Sequence, residues 1–564
     1  MPRPPLDLVF LWHMHQPDYR DRASGEFRRP WVYLHALKDY TDMVAHLEGH
    51  PKVKAVVNFV PVLIEQIEDY LDQFAKGEFR DPLLRLLACE THEGLDSATR
   101  RWLVATCFPE NHVRMVAPFP RYQRLHELYR QVLAQGDGEL RYLSGGFFSD
   151  LVTWYHLVWT GETERRRQPL LAELMSRGEH FSLSDRRRLL SLLGETLKTL
   201  LPRYRALAER GQVELSTTPY THPLAPLLLD FASARETQPD IALPRAPVYP
   251  GGASRVGTQI AEARTCHTRF FGAPPRGLWP AEGAVSTALL KAVAAAGFSW
   301  TASSETVLVQ SLRAAGSERA ARGDYLYQPW ELSGLPGVAM FFRDERLSDL
   351  IGFEYSRWHG RDAAAHFLEG LSRIRAELPE GVRGVVTVAL DGENAWEYYP
   401  YNAHYFFEDL YALLEASEDH CCTTFSAFLE GPGAAAQTLP ELCAGSWVYG
   451  NFSTWVGDSA KNRAWDLLCE AKQAYDLVID SGRLDAAQRQ LAGRQLAVCE
   501  GSDWFWWFGD YNPREAVASF DELFRANLAE LYRLLGLPAP AQLAQALALG
   551  GGHPEGGGAM RRAH

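Results

Sequence analysis

The 564-residue sequence is sparing with cysteine, methionine and basic charge, and it has no long apolar run. No stretch approaches the roughly 20 apolar residues that span a bilayer. The early apolar segment Leu8–Trp12 is too short for a secretory h-region and is followed by polar residues, not by a small-residue cleavage site. A cytoplasmic location is therefore expected. The eight cysteines (Cys89, Cys107, Cys266, Cys421, Cys422, Cys443, Cys469 and Cys499) include no CxxC pair, and the adjacent Cys421-Cys422 suit neither a zinc site nor an easy disulfide. Reduced and mostly buried thiols are expected. The formal net charge of −13 argues against nucleic acid, which needs clustered Lys and Arg, and against an anionic membrane surface. No strand-to-helix GxGxxG, no GxxxxGK[ST] and no HExxH occurs, so nucleotide use and zinc-protease chemistry find no support. A neutral partner is the easiest fit.

What the chain does have is aromatic side chains, 12% of its residues, with 16 tryptophans. Sugars present apolar C–H faces that stack on such rings, although Trp also builds cores. Short β-rich apolar runs end in polar residues: Leu8–Trp12 before His13, Lys54–Phe59 around Asn58, and Val213–Thr217 before Tyr220 and His222. Gly277–Trp279 before Glu282, Phe298–Ala302 before Ser303, Val338–Phe342 before Arg343 and Val385–Leu390 before Asp391 follow. Helical patterns such as Val285–Ala296 and Ala363–Leu378 alternate with them. Continuous apolar strands between helices indicate a parallel sheet covered on both faces, closed as a β/α barrel of about seven strands with its chemistry at the C-terminal strand ends.

Residues 61–210 read as a mainly helical insertion, exemplified by Asp185–Glu209, in a catalytic barrel spanning 1–430. Gly431-Pro432-Gly433-Ala434 marks a boundary. Beyond it Lys461–Ile479, Ala486–Cys499 and Pro513–Leu535 read as amphipathic helices, giving a C-terminal helical domain over 431–545 that completes a substrate cleft. Residues 546–564, Gly-rich from Gly550 onward, are expected to be a disordered tail. The oligomeric state has no sequence signature.

Five segments occur in order: His13-Met14-His15-Gln16-Pro17; Gly211-Gln212-Val213-Glu214 continuing through Pro219-Tyr220-Thr221-His222-Pro223; Gly277-Leu278-Trp279-Pro280-Ala281-Glu282; Leu390-Asp391-Gly392-Glu393-Asn394; and Trp447-Val448-Tyr449-Gly450-Asn451-Phe452. Each is weak alone. As an ordered set from His13 to Phe452 they resemble glycoside hydrolase family 57, and the aromatic run after Asp503 is similar to that of its α-amylase and amylopullulanase-like members. The resemblance implies a (β/α)7 barrel with a helical C-terminal domain, a retaining mechanism on α-glucans and no cofactor or metal. It places the nucleophile on Glu282 and the acid/base on Asp391.

The residue types make independent sense of those roles. A retaining glycosidase needs two facing carboxyl groups about 5–5.5 Å apart, and each of these follows a predicted barrel strand. The alternatives are a structural ion pair for Glu282 and a bare Asp-Gly turn for Asp391, with Glu393 as the fallback acid. His13 and His15 flank Met14, so on a strand they face one side. They suit hydrogen bonds to sugar hydroxyls, as does His222; a metal pair or plain rim histidines are the other readings.

Further substrate-binding candidates are Glu214, Trp279, Arg343, Asp344, Trp396, Trp447 and Asn451, with Asp349 in the same class as Arg343 and Asp344. Asp503-Trp504-Phe505-Trp506-Trp507-Phe508 spreads five rings around any helix it forms, more than one core-facing stripe buries. Trp504, Trp506 and Trp507 therefore join the candidates. The expected function is retaining hydrolysis of α-1,4 glucosidic bonds, with α-1,6 bonds as a secondary target. The alternatives are a 4-α-glucanotransferase or branching enzyme using the same carboxyls, a zinc-dependent deacetylase or mannosidase built on His13, His15, Asp18 and His222, and a non-catalytic glucan-binding protein.

Overall fold

The computed structural model describes residues 3–108, 111–317, 321–393 and 395–552. Seven parallel strands form its centre: β1 (Leu6–Met14), β2 (Ala55–Phe59), β3 (Val213–Thr217), β4 (Gly277–Leu278), β5 (Trp300–Ser304), β6 (Ala339–Arg343) and β7 (Val385–Asp391). They pair in sequence from β1 to β6. The β6–β7 pair (Arg343↔Thr387) and the long β7–β1 ladder close the ring, and the fold is a (β/α)7 barrel. Outside it, His420–Cys422 pairs with β1 and Trp330–Leu332 runs antiparallel to β6.

Strand alternation builds two cores. Val9, Leu11, Val56, Ala302, Phe341 and Ala389 point into the barrel, where Phe425 and Phe428 plug its lower end against Trp300. Leu8, Phe10, Trp12 and Met14 point outward under the helices. Burial on both faces is why these strands read as unbroken apolar runs.

Helix α1 (Thr41–Gly49) follows β1, and only helices and loops occupy 61–209. The last of these, α2 (Leu183–Glu209), starts at a Ser182/Asp185 capping box. Then come α3 (Thr287–Ala295), α4 (Gly360–Glu377) and α5 (His404–Ala416) around the barrel. After the loop at 431–436 the chain forms α6 (Ser459–Asp480), α7 (Ala486–Cys499), the short α8 (Asp503–Trp507) and α9 (Arg514–Leu534). No helix among the described residues is long and apolar enough to cross a membrane.

Part of the expected tail is packed. Leu547 and Ala548 are buried, and their backbone N–H groups donate to Asp521 on α9. Two apolar side chains and one buried carboxylate suffice to dock that stretch; residues 553–564 lie outside the described residues.

Candidate active site

Register sets the first row of the site. His13 on β1 lies level with Asn58 on β2 and with Asp391 on β7, all at the C-terminal strand ends. Gly392 follows Asp391, and its N–H donates to His13 O at 2.7 Å. A Cβ at Gly392 would sit 2.0 Å from Met14 Sδ, so only glycine lets the two strands approach there.

Glu282 lies in the turn after β4 with φ +60°, a left-handed conformation unusual for glutamate. Such strain persists where the surroundings over-determine it. Here Trp447 N–H donates to Glu282 O, Trp447 Nε1 donates to Glu282 Oε2, each at 3.0 Å, and Val285 bridges Gly445. Trp447 packs edge-on over the buried Trp279, ring centroids 5.1 Å apart, while Arg343 holds Ala389 O and Asp349 with its guanidinium 5.9 Å from the Trp447 ring centroid.

A hydrogen-bonded chain leads from the barrel to the same carboxyl. Asn58 Oδ1 accepts from His13 Nδ1 at 2.7 Å, His13 Nε2 meets His222 Nε2 at 3.0 Å, and His222 Nδ1 meets Ser502 Oγ at 2.9 Å. Ser502 Oγ lies 3.5 Å from Glu282 Oε1. Burial pushes His13 down to about 3 and His222 well below its ordinary value, so both rings are neutral. With the His13 proton on Nδ1, the proton between the two rings belongs to His222 Nε2. His222 Nδ1 then accepts from the serine hydroxyl.

His15 stacks on His222 at 3.7 Å between centroids and bonds Asp503 at 2.9 Å. One cleft is lined by Glu282, Asp391, Glu393 and Asp503, four carboxyl groups against the single guanidinium of Arg343, with Trp31, Trp447, Trp506 and Trp507 as its aromatic walls. An acidic, aromatic cleft suits a neutral sugar and repels an anionic one. Burial first, then the charges of Asp391 and Asp503, push Glu282 up to about 8. Burial and Asp391 push Glu393, which accepts from Gln16 at 3.0 Å, well above its ordinary value.

The structure therefore gathers Glu282, Asp391, His13, His15, His222, Arg343, Glu393, Trp447, Trp506 and Trp507 in one cleft. Other expected binding residues lie elsewhere. Glu214 is the second residue of β3, at the opposite barrel end, where it accepts from Trp300 Nε1 and Ser426. Asp344 is fully buried, caps the helix Glu345–Asp349 and accepts from Tyr327. Trp396 is buried between Trp12 and Phe407, and Trp504 donates inward to Val498 O. Trp279 forms the floor under Trp447, and Asn451 shapes its own loop through Ser453 and Tyr449. Gln16, Tyr19, Trp31, His35, Phe353, Ser502 and Asp503 line or support the cleft without having been singled out.

Among the described residues, two groups of side chains bring metal-ligating atoms within 4.8 Å of one another: His15, His222 and Asp503, and His46, His404 and Glu408. In the first, both His222 nitrogens are already engaged. Asp18, expected to complete such a site, is instead held by Arg20 and Arg22.

The sequence profile of glycosyl hydrolase family 57 matches residues 9–430. The chain belongs to glycosyl hydrolase family 57. No curated protein sequence matches it significantly. Among solved structures it resembles a family 57 branching enzyme from Thermococcus kodakaraensis, at 17% identity and TM-score 0.57, covering 94% of this chain and 90% of that one. A branching enzyme from Pyrococcus horikoshii (16%, 0.57, 96% and 96%) and the α-amylase AmyC from Thermotoga maritima (13%, 0.57, 96% and 94%) share the fold. This family 57 chain is thus an enzyme of the glycoside hydrolase class with the family's barrel and a helical C-terminal region.

Proposed function

We propose that the protein is a retaining α-glucan hydrolase, cleaving α-1,4 glucosidic bonds by double displacement, with Glu282 as nucleophile and Asp391 as general acid/base. The observation that supports this reading most is the hold on Glu282: a strained turn and the Trp447 indole aim one half-buried carboxyl into the cleft that Asp391 also lines.

In the first step Glu282 attacks the anomeric carbon while Asp391 protonates the departing oxygen; in the second Asp391 deprotonates water, which releases the sugar from the glycosyl ester. Asp391 is among the charges that raise Glu282, and a carboxyl pair coupled in this way favours one ionised and one protonated member, the two states the reaction needs. The Trp447 Nε1 donor favours the ionised form of Glu282. The ring of Trp447 and the pair Trp506–Trp507 offer stacking faces, while both nitrogens of His13 and of His222 stay engaged within the wall and hold it in place.

Incubation with maltoheptaose, pullulan and amylopectin, with chromatography of the products, tests the reading. Shorter reducing oligosaccharides are expected from all three. Products longer than maltoheptaose would replace hydrolysis by glycosyl transfer through the same carboxyls, the activity of the branching enzymes that share the fold. No turnover of any α-glucan would remove the proposal.

A further inference from the structure

We propose that His46, His404 and Glu408 form a binding site for a divalent transition-metal ion, Zn2+ being the best match, on the outer wall of the barrel between α1 and α5. Nothing in the catalytic reading uses these residues. Two helices each present an i, i+4 pair at this seam: His46 and His50 from α1 and its end, His404 and Glu408 from α5. Positions four apart share one helix face, so the pairs converge. One donor atom from each of His46, His404 and Glu408 lies within 4.8 Å of the others. Zn–N and Zn–O bonds of about 2.0–2.2 Å put tetrahedral ligands roughly 3.4 Å apart, a closure that small side-chain rotations supply.

The second observation concerns unmet bonding capacity. His46 is 1% exposed, and its Nε2 has no hydrogen-bond partner among the described residues, nor does the buried Nδ1 of His404. Two facing imidazoles (5.3 Å between centroids), each with an orphaned ring nitrogen, form a costly arrangement unless something binds them. His46 Nδ1 donates to Glu408 Oε1 at 2.9 Å, and His50 Nε2 lies 3.6 Å from Glu408 Oε2 as a potential fourth donor. Two imidazoles and a carboxylate are a borderline-soft set that selects zinc-like ions over Ca2+ or Mg2+. Arg166 nearby opposes a cation, but Glu162 holds it at 2.8 Å, and Glu415 adds negative charge through His50.

The position gives the ion a task. His404 is the first residue of α5, directly after the loop that leaves β7 with Asp391 and Glu393, and Asn402 of that loop donates to Asp42 on α1 at 2.8 Å. A metal joining His404 to His46 would fasten the same loop to the same helix one step further on.

Titrating metal-free protein with ZnCl2 by calorimetry tests this, with Co2+ absorption spectra reporting geometry. The expected result is one ion per chain at micromolar or tighter Kd, a tetrahedral Co2+ spectrum, and a melting temperature raised by at least about 2 °C at saturating Zn2+. Because His46 is buried and its variants can unfold, the decisive variants are His404→Gln and Glu408→Gln. Each should weaken binding by 10-fold or more and abolish the thermal shift. The double variant His15→Ala/Asp503→Asn, which dismantles the other cluster, should leave both intact. No binding at 100 μM Zn2+, binding unchanged in the seam variants, or binding lost in the His15/Asp503 variant would each overturn the proposal.

Discussion

Trp447 grips Glu282 at two points, from its backbone N–H to the carbonyl and from its indole Nε1 to the carboxylate Oε2, each at 3.0 Å. The two residues are 165 positions apart, and the contact joins the barrel to the region that follows it. Trp447→Phe keeps most of the ring but removes the indole donor. A preorganised donor of this kind is worth roughly 10²–10³-fold in turnover. We expect kcat to fall within that range, with the acid limb of the pH profile moving upward because the bond favours ionised Glu282. An unchanged profile would show that the indole only packs.

Replacing Glu282 by Gln should lower turnover of maltoheptaose by at least ~10⁴-fold with the circular dichroism spectrum unchanged. The same substitution reports on stability. Glu282 is raised from 4.5 to about 8 in the folded chain, so the carboxyl favours folding below pH 4.5 and that contribution is lost as pH rises toward 8. Melting curves of Glu282→Gln against wild type should therefore diverge upward from pH 5 to pH 8. A gap that shrinks over that window contradicts the assignment.

Asp391→Ala should slow glucan cleavage by ~10²–10⁴-fold, the usual value of a general acid. An aryl α-glucoside with an acidic phenol leaves without a proton, so its glycosylation step should suffer far less. Equal losses on both substrates would place the acid elsewhere, Glu393 being the first alternative.

Asp503→Asn removes one of the two negative charges that raise Glu282. The acid limb of kcat/KM should shift to lower pH. A shift to higher pH, or none, would show that Asp503 does not act on Glu282.

Retention leaves a stereochemical mark. Proton NMR of an early maltooligosaccharide digest should show the α-anomer first, the β-anomer growing only by mutarotation. Initial β-anomer would make the mechanism inverting.

The seven barrel strands were legible because burial on both faces strips the alternation from a parallel strand and leaves an apolar run with a polar end; Val213–Thr217 matches residue for residue. Glu282, Asp391, His13 and His15 were legible for the same reason, since each stands at such an end. Glu214 was misplaced because a motif does not tell which barrel end a residue faces. In the run from Trp504 to Phe508, only tertiary contacts separate Trp506 and Trp507 in the cleft from Trp504, Phe505 and Phe508 in the core. Ser502 and Asp503 had no local signal at all: their partners Glu282 and His15 lie 220 and 488 positions away.

The profile match ends at residue 430, yet Trp447, Ser502, Asp503, Trp506 and Trp507 finish the cleft from beyond it. The acidic pair and its ceiling are thus encoded in separate stretches of the gene. Exchange or drift in the downstream stretch can reshape the walls of the cleft while Glu282 and Asp391 stay fixed.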